Sequence, residues 1–97
     1  MTVKERLQEL REQIANTPGK NDKKGLFIEL LAYNNYAVAN GDDRDITSIK
    51  ELDSYWKKPI TKHGVFDKMY DDLTDEHIIN HANDPKGFKS ALEKAQD

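Results

Sequence analysis

The chain has 97 residues, a net charge of −3 and no cysteine. A chain of this length fits one domain, and the lack of cysteine excludes disulfides, thiolate metal sites and cysteine nucleophiles. The acidic balance, with basic residues that are mostly lysine, argues against sequence-specific binding of nucleic acid, which usually relies on a basic surface and on arginine.

The first predicted element is a helix over residues 2–16. Thr2 and Glu5 have the spacing of a capping box at its start. The apolar residues of this helix recur every three or four positions, which we interpret as a face that packs against the core. The same spacing is that of a short coiled-coil seam, so a homodimer is the alternative interpretation. The four apolar residues are Val3, Leu7, Leu10 and Ile14.

The second predicted helix covers about 25–40 and contains the longest apolar run of the chain, residues 26–39. Apolar side chains in this run point to nearly all sides of a helix, which is typical of a helix buried on most sides. We therefore expect this helix to be the centre of the fold. The polar residues Lys20 to Gly25 are predicted to form a loop before it, and Asn40–Gly41 ends it.

A third helix is predicted over about 47–57. Ser48 and Glu51 have the spacing of a second capping box, and Pro59 ends this helix. A short connector then leads to a fourth helix over about 64–73. The buried face of the fourth helix is expected to consist of Val65, Phe66, Met69, Tyr70 and Leu73.

Two further short helices are predicted after residue 73. Thr74 is a typical N-cap for the first of them, and Asp84 followed by Pro85 is a typical start for the second. The apolar residues expected to face the core are Ile78, Ile79 and Ala82 on the first, and Phe88, Leu92 and Ala95 on the second.

These elements together predict an all-α fold. No segment alternates polar and apolar residues over more than four positions, which is the pattern of a half-buried strand. The expected architecture is a compact bundle of five to six short helices around the central buried helix at about 25–40. We expect residues 1–97 to form a single helical domain.

His77 and His81 are the candidate metal ligands, because a spacing of four places both on one side of a helix. The zinc-protease pattern requires a glutamate directly after the first histidine, and the sequence has isoleucine there. Residues 40–51 have the length of a calcium-binding loop, but Arg44 and Asp45 stand where an oxygen ligand and the turn glycine are required. Neither pattern predicts a metal site.

Four acidic residues are the remaining candidates for acid–base chemistry. Nothing in the sequence marks them as buried, and carboxylates in water have no cause for a shifted pKa. The sequence also has no glycine-rich phosphate loop and no nucleophile turn. We therefore predict no catalytic residue, no cofactor and no enzymatic activity. The four residues, interpreted as a solvated face, are Asp71, Asp72, Asp75 and Glu76.

A basic segment beside two aromatic residues is the best candidate for contact with a partner. Such a segment suits an acidic protein surface or the stacking of a nucleic-acid base, and the alternative is that its tryptophan belongs to the core. The predicted function is a small non-enzymatic protein that binds another protein as a regulatory, inhibitory or accessory module. The alternative is a nucleic-acid-binding protein that uses segment 55–68. The candidate partner-binding residues are Tyr55, Trp56, Lys57, Lys58, Lys62 and His63.

The cellular setting is predicted from composition. The first residues are rich in charge, unlike a secretory signal, and no run has the length and apolar character of a membrane span. The lack of cysteine suits a reducing compartment, so we expect a cytoplasmic protein. The many lysine and asparagine residues fit a low-GC bacterial or phage origin.

Overall fold

Five α-helices and one short 3-10 turn form the regular structure of the chain as far as it is described. The computed structural model describes residues 1–49, 60 and 64–96. Within these ranges, the β-type pairing consists of one isolated bridge between Thr2 and Asp45, and the prediction of an all-α fold is confirmed. The elements are α1 (Val3–Asn16), α2 (Lys20–Asn40), the 3-10 turn Ile46–Ser48, α3 (Val65–Asp71), α4 (Asp75–Asn83) and α5 (Pro85–Gln96).

The first helix begins where the sequence predicts. Thr2 Oγ1 accepts the N–H of Glu5 at 3.3 Å, and Glu5 Oε1 accepts the N–H of Thr2 at 3.0 Å, so the capping box is formed. The apolar stripe of α1 is 0–6% exposed within one chain, which confirms that it packs in the core. The homodimer alternative needs this stripe free, and the chain's own helices cover its four residues, Val3, Leu7, Leu10 and Ile14.

The second helix begins at Lys20, so the prediction of a loop over residues 20–25 is wrong. Gly19, with a φ of 85°, is the point where the chain turns into the helix, whereas Gly25 lies within the helix. Lysine is a good helix former, and Lys23 is packed against the fold with 3% of its surface exposed. Tertiary contacts therefore stabilise these turns, although their sequence is polar.

Most of α2 is enclosed, as expected for a helix that is apolar on nearly all sides. Phe27, Leu30 and Tyr36 are fully buried, and α1, α4 and α5 pack against this helix. The expectation fails at the end of the apolar run, where Val38 is 70% exposed and Ala39 is also exposed. The last turn of α2 therefore carries an apolar side chain that the described part of the chain does not cover.

The connector after α2 caps the N-terminal end of α1. Gly41 ends α2 with a φ of 89°, as its position predicts. The carbonyl of Arg44 then accepts the N–H of Val3 at 2.9 Å, and the carbonyl of Asp42 accepts the N–H of Lys4 at 3.0 Å. The first N–H groups of a helix have no partner inside it, so this connector supplies acceptors for α1.

The predicted third helix falls mostly outside the described residues. Its described beginning is the 3-10 turn Ile46–Ser48, which Asp45 caps by accepting the N–H of Thr47 at 2.8 Å. Bonds from the Thr47 hydroxyl and N–H hold the pKa of the Asp45 carboxyl below its usual value. The Ser48 hydroxyl donates to the Asp45 carbonyl at 2.8 Å, and the second capping box, which needs residues after 49, stays a prediction. Glu51 lies outside the described residues.

The starts of the last two helices follow the prediction. Thr74 Oγ1 accepts the N–H of His77 at 3.2 Å and caps α4, and Pro85 is the first residue of α5. Ala95 is exposed in the last turn of α5, so its prediction as a core residue is wrong. The predicted core residues that are buried in α3, α4 and α5 are Phe66, Tyr70, Ile78, Ala82, Phe88 and Leu92, and those that are half-buried are Val65, Met69, Leu73 and Ile79.

An aromatic cluster joins α2 to the last three helices. The ring centroid of Phe27 lies 6.2 Å from that of Phe66, 5.9 Å from that of Tyr70 and 5.1 Å from that of Phe88. All four rings are at most 2% exposed. Aromatic pairs at these separations add to the stability gained from burial alone. Phe27 is therefore the point at which α2 holds α3 and α5 together.

Two arginines of α1 connect it to other helices. Arg6 Nη2 lies 2.7 Å from Glu29 Oε1 on α2, and Arg6 also bonds Glu9 on its own helix. Arg11 Nε donates to the carbonyl of Ala82, at the C-terminal end of α4, at 2.9 Å. A cation at this end of a helix is favourable, because the last carbonyls carry partial negative charge. These contacts fix α1 against α2 and α4.

Candidate functional site

The residues that the sequence predicts as a partner-binding site lie outside the residues that the structure describes. The described residues nearest to them in the chain are Ile60, which is 2% exposed, and Gly64. The predicted site therefore stays a prediction. Its residues, all outside the described ranges, are Tyr55, Trp56, Lys57, Lys58, Lys62 and His63.

The described part of segment 55–68, the predicted nucleic-acid-binding segment, is largely engaged in the fold. Phe66 is fully buried and therefore cannot stack on a base. The carboxylate of Asp67 lies 2.7 Å from Lys24 Nζ on α2. Lys68 is exposed at the surface.

The two candidate metal ligands differ in their surroundings. His77 is exposed, whereas His81 is half-buried with its ring centroid 5.4 Å from that of Phe88. Burial lowers the pKa of His81 and the nearby His77 lowers it further, while Asp84 acts in the opposite direction. Within residues 1–49, 60 and 64–96, no three His, Cys, Asp or Glu side chains are grouped closely enough to hold a metal ion.

The four acidic residues at the end of α3 and the start of α4 are exposed, as the sequence predicts. Asp75 Oδ1 lies 3.8 Å from Lys23 Nζ, which places an exposed carboxylate against a buried lysine. This pair belongs to the contacts between α2 and α4. The four exposed residues are Asp71, Asp72, Asp75 and Glu76.

The described surface contains a groove of about 510 Å³ between the last turns of α2 and the first turns of α5, which we call the α2–α5 groove. Its most exposed apolar side chain is Val38, and Asn34 precedes it by one helical turn on the same face. The groove is completed, on the side of α5 and the residue before it, by Asp84, Pro85, Lys86, Lys89, Ser90 and Glu93.

The rim of this groove carries charges of both signs. Lys86 and Asp84 are exposed near the start of α5. Lys89 Nζ, on a half-buried side chain, lies 4.0 Å from Glu93 Oε1 one turn further along that helix, a surface pair that contributes little to stability. The groove therefore presents an apolar side chain inside a polar, mixed-charge border.

The sequence contains part of the information that defines this groove. Val38 is at the end of the apolar run, two residues before the Asn40–Gly41 stop. A side chain so close to the end of a helix has fewer neighbouring elements to pack against. The residues of α5 that line the groove recur at spacings of three and four in the sequence and so share one face of the helix. That this face lies beside the end of α2 depends on long-range packing, which the local pattern does not specify.

Comparison with known proteins gives no relative from which a role can be transferred. No protein-family model matches the chain, no curated protein matches its sequence, and no solved structure matches it. Among the helices of the described ranges, none has the length and apolar character needed to cross a membrane.

Proposed function

We propose that this protein is a non-enzymatic module that acts by binding another protein. The observation that carries the proposal is the α2–α5 groove, with Val38 exposed over 70% of its surface inside a mixed-charge border. An apolar centre with a polar rim is the usual organisation of a protein–protein interface. The proposed role is regulatory, inhibitory or accessory and includes no chemical step.

The openness of the groove favours a protein over a small molecule as the ligand. Sites for small molecules enclose most of the ligand and are lined mainly by apolar groups. Here Val38, the most exposed apolar side chain of the groove, has 70% of its surface open to water, so the groove does not enclose a ligand. A partner protein covers such a surface by placing its own apolar side chain against Val38 and polar groups against the rim.

The experiment is affinity capture with the wild-type chain and two matched variants. Val38→Lys introduces a charge into the groove, and Ala15→Lys introduces the same charge at an exposed position near the end of α1. A lysine near a helix C-terminus is favourable in both places, so both variants are expected to fold. We expect one reproducible partner. Ala15→Lys should bind it as the wild type does, and Val38→Lys should bind it with an affinity at least about tenfold lower.

Two results would count against this proposal. A protein that stays a strict monomer over a wide concentration range and captures no reproducible partner leaves the binding role without support. A partner that both variants retain equally means that the contact lies away from the α2–α5 groove, for example at the predicted residues 55–63.

Nucleic-acid binding through segment 55–68 is the alternative function, and titration with duplex DNA distinguishes it from the first. Binding through phosphate contacts weakens steeply as salt increases. Measurement at two salt concentrations is therefore the deciding observation. Tight binding at low salt that is lost at high salt supports the alternative, and no binding at low salt discards it.

The proposed setting of this binding role is the cytoplasm of a bacterium or of a phage-infected cell. The absence of cysteine and the abundance of lysine and asparagine support this setting. Location of the protein in fractionated cells tests it, with recovery from the membrane or the medium as the contrary result.

A further inference from the structure

Three lysines in the first turns of α2 all reach towards α3 and the start of α4. Lys20 Nζ donates to the carbonyl of Asp71 at 2.7 Å and to the carbonyl of Leu73 at 2.9 Å. These carbonyls stand at the C-terminal end of α3, where partial negative charge favours a cation. Lys20 thus holds the end of α3 from outside that helix.

The other two lysines pair with carboxylates on either side of this contact. Lys24 Nζ lies 2.7 Å from Asp67 Oδ1 on α3, and Lys23 Nζ lies 3.8 Å from Asp75 Oδ1 on α4. Lys23 is 3% exposed, so the stem of its side chain is packed against the fold and its amine is directed to this partner. The three ammonium groups therefore bind three successive points of residues 67–75.

Tyr70 lies between these lysines. Its hydroxyl donates to the carbonyl of Lys20, and its ring centroid lies 5.8 Å from both Lys20 Nζ and Lys24 Nζ. A cation at this distance from an aromatic ring is attracted to it. The ring also packs against Phe27, so the lysines cover the edge of the aromatic cluster.

The attachment of α3 differs from that of α1. The two long helices α1 and α2 pack extensively along their lengths, whereas α3, with only 7 residues, approaches α5 closely and is joined to α2 mainly by side chains. Apart from these charged side chains, α3 is held to α2 by the buried rings of Phe66 and Tyr70, and a helix of two turns has fewer such contacts and a lower free energy of local opening than the long core helices. The positive charges of Lys20, Lys23 and Lys24 on α2 therefore contribute to the free energy that opposes the opening of α3.

We propose that Lys20, Lys23 and Lys24 form a charge-dependent clasp that keeps residues 64–74 closed over Phe27. Loss of charge at the clasp releases this segment and uncovers the aromatic cluster while α1 and α2 stay packed. The fold thus contains a local opening step that is separate from global unfolding. This inference does not depend on the proposed binding function, because the α2–α5 groove uses the opposite end of α2.

The test is amide hydrogen exchange of the full chain, comparing residues 69–73 with the amides of α1. Lys20→Gln removes the charge, and Lys20→Arg keeps it. Lys94→Gln, at an exposed position on α5, is the matched control. Losing the two charge-assisted hydrogen bonds of Lys20 is expected to speed exchange at residues 69–73 about tenfold in Lys20→Gln, with α1 unchanged. Lys20→Arg and Lys94→Gln are expected to exchange as the wild type does.

Salt provides a second measurement on the same samples. Raising the salt from about 0.1 M to 1 M screens exposed ion pairs and is expected to speed exchange at residues 69–73 in the wild type. The response should be smaller in a Lys20→Gln/Lys24→Gln double variant, which has less charge to screen. Equal acceleration of α1 and residues 69–73, or none in Lys20→Gln, overturns the proposal. The lysines would then contribute to overall stability alone or to nothing measurable.

Discussion

Replacing Leu30 by alanine tests whether α2 is the core of the fold. Leu30 is fully buried on the helix against which α1, α4 and α5 pack. A buried leucine-to-alanine change costs about 2–5 kcal/mol, because apolar contact is lost and a cavity remains. A chain of this length has a total stability of about 5–15 kcal/mol, so the variant is expected to fold. If the free energy of unfolding falls by about 1.5 kcal/mol per M of urea, a loss of about 3 kcal/mol of this free energy lowers the urea midpoint by about 2 M.

The assay is equilibrium unfolding in urea, followed by circular dichroism. Val38→Ala on the same helix is the matched control, and because Val38 is 70% exposed its cost is expected to stay within about 0.5 kcal/mol. A loss of unfolding free energy below about 1 kcal/mol for Leu30→Ala, or equal losses for the two variants, would contradict the burial of Leu30. Either result means that the buried face of α2 is not the face described above.

Three further predictions concern the capping, the turn and the pH dependence of the chain. Thr2→Ala removes the capping box of α1 and is expected to cost about 1 kcal/mol in urea unfolding; an unchanged midpoint would exclude a stabilising cap. Gly41→Ala is expected to lower the free energy of unfolding by about 1–3 kcal/mol, because the φ of 89° at this position strains any residue with a Cβ. No atom lies within 4 Å of the added Cβ, so backbone strain alone causes this loss, and a stabilised variant would contradict the conformation. Because burial and His77 lower the pKa of His81 below 6.5, its contribution to stability is present above that pH and lost as the pH falls through the folded pKa. Urea unfolding of wild type and His81→Gln at pH 7.5 and pH 5.5 checks this, and an equal acid sensitivity of the two proteins speaks against it.

The local elements could be predicted from the sequence wherever one short-range interaction decides them. The Thr2 capping box, the Gly41 stop and the Thr74 cap each depend on residues within four positions, and all three are present. The apolar stripe of α1 is equally well predicted, because a periodic pattern specifies a buried face. It does not specify which surface covers that face, because a second copy of the chain would cover the same stripe as well as another helix of one chain does.

The misplaced elements are those that distant residues decide. The polar sequence of Lys20 to Gly25 favours a loop, but its lysines contact α3 and α4, about fifty positions away in the sequence, and this packing makes the segment helical. Val38 is expected in the core because it belongs to an apolar run, yet it points away from the packed side of α2 and is 70% exposed. The α2–α5 groove exists for the same reason, so its residues appear only once α2 and α5 are placed side by side.

The most direct test of the binding proposal is a photo-crosslinking experiment. A photoreactive phenylalanine analogue replaces Val38 in the α2–α5 groove, and in a second protein it replaces Ala15 on the exposed surface of α1. We expect position 38 to crosslink to one partner protein in cells of the source organism, and position 15 to give no such product. A partner that crosslinks equally from both positions, or from neither while still being captured, would contradict the assignment of the α2–α5 groove as the binding surface.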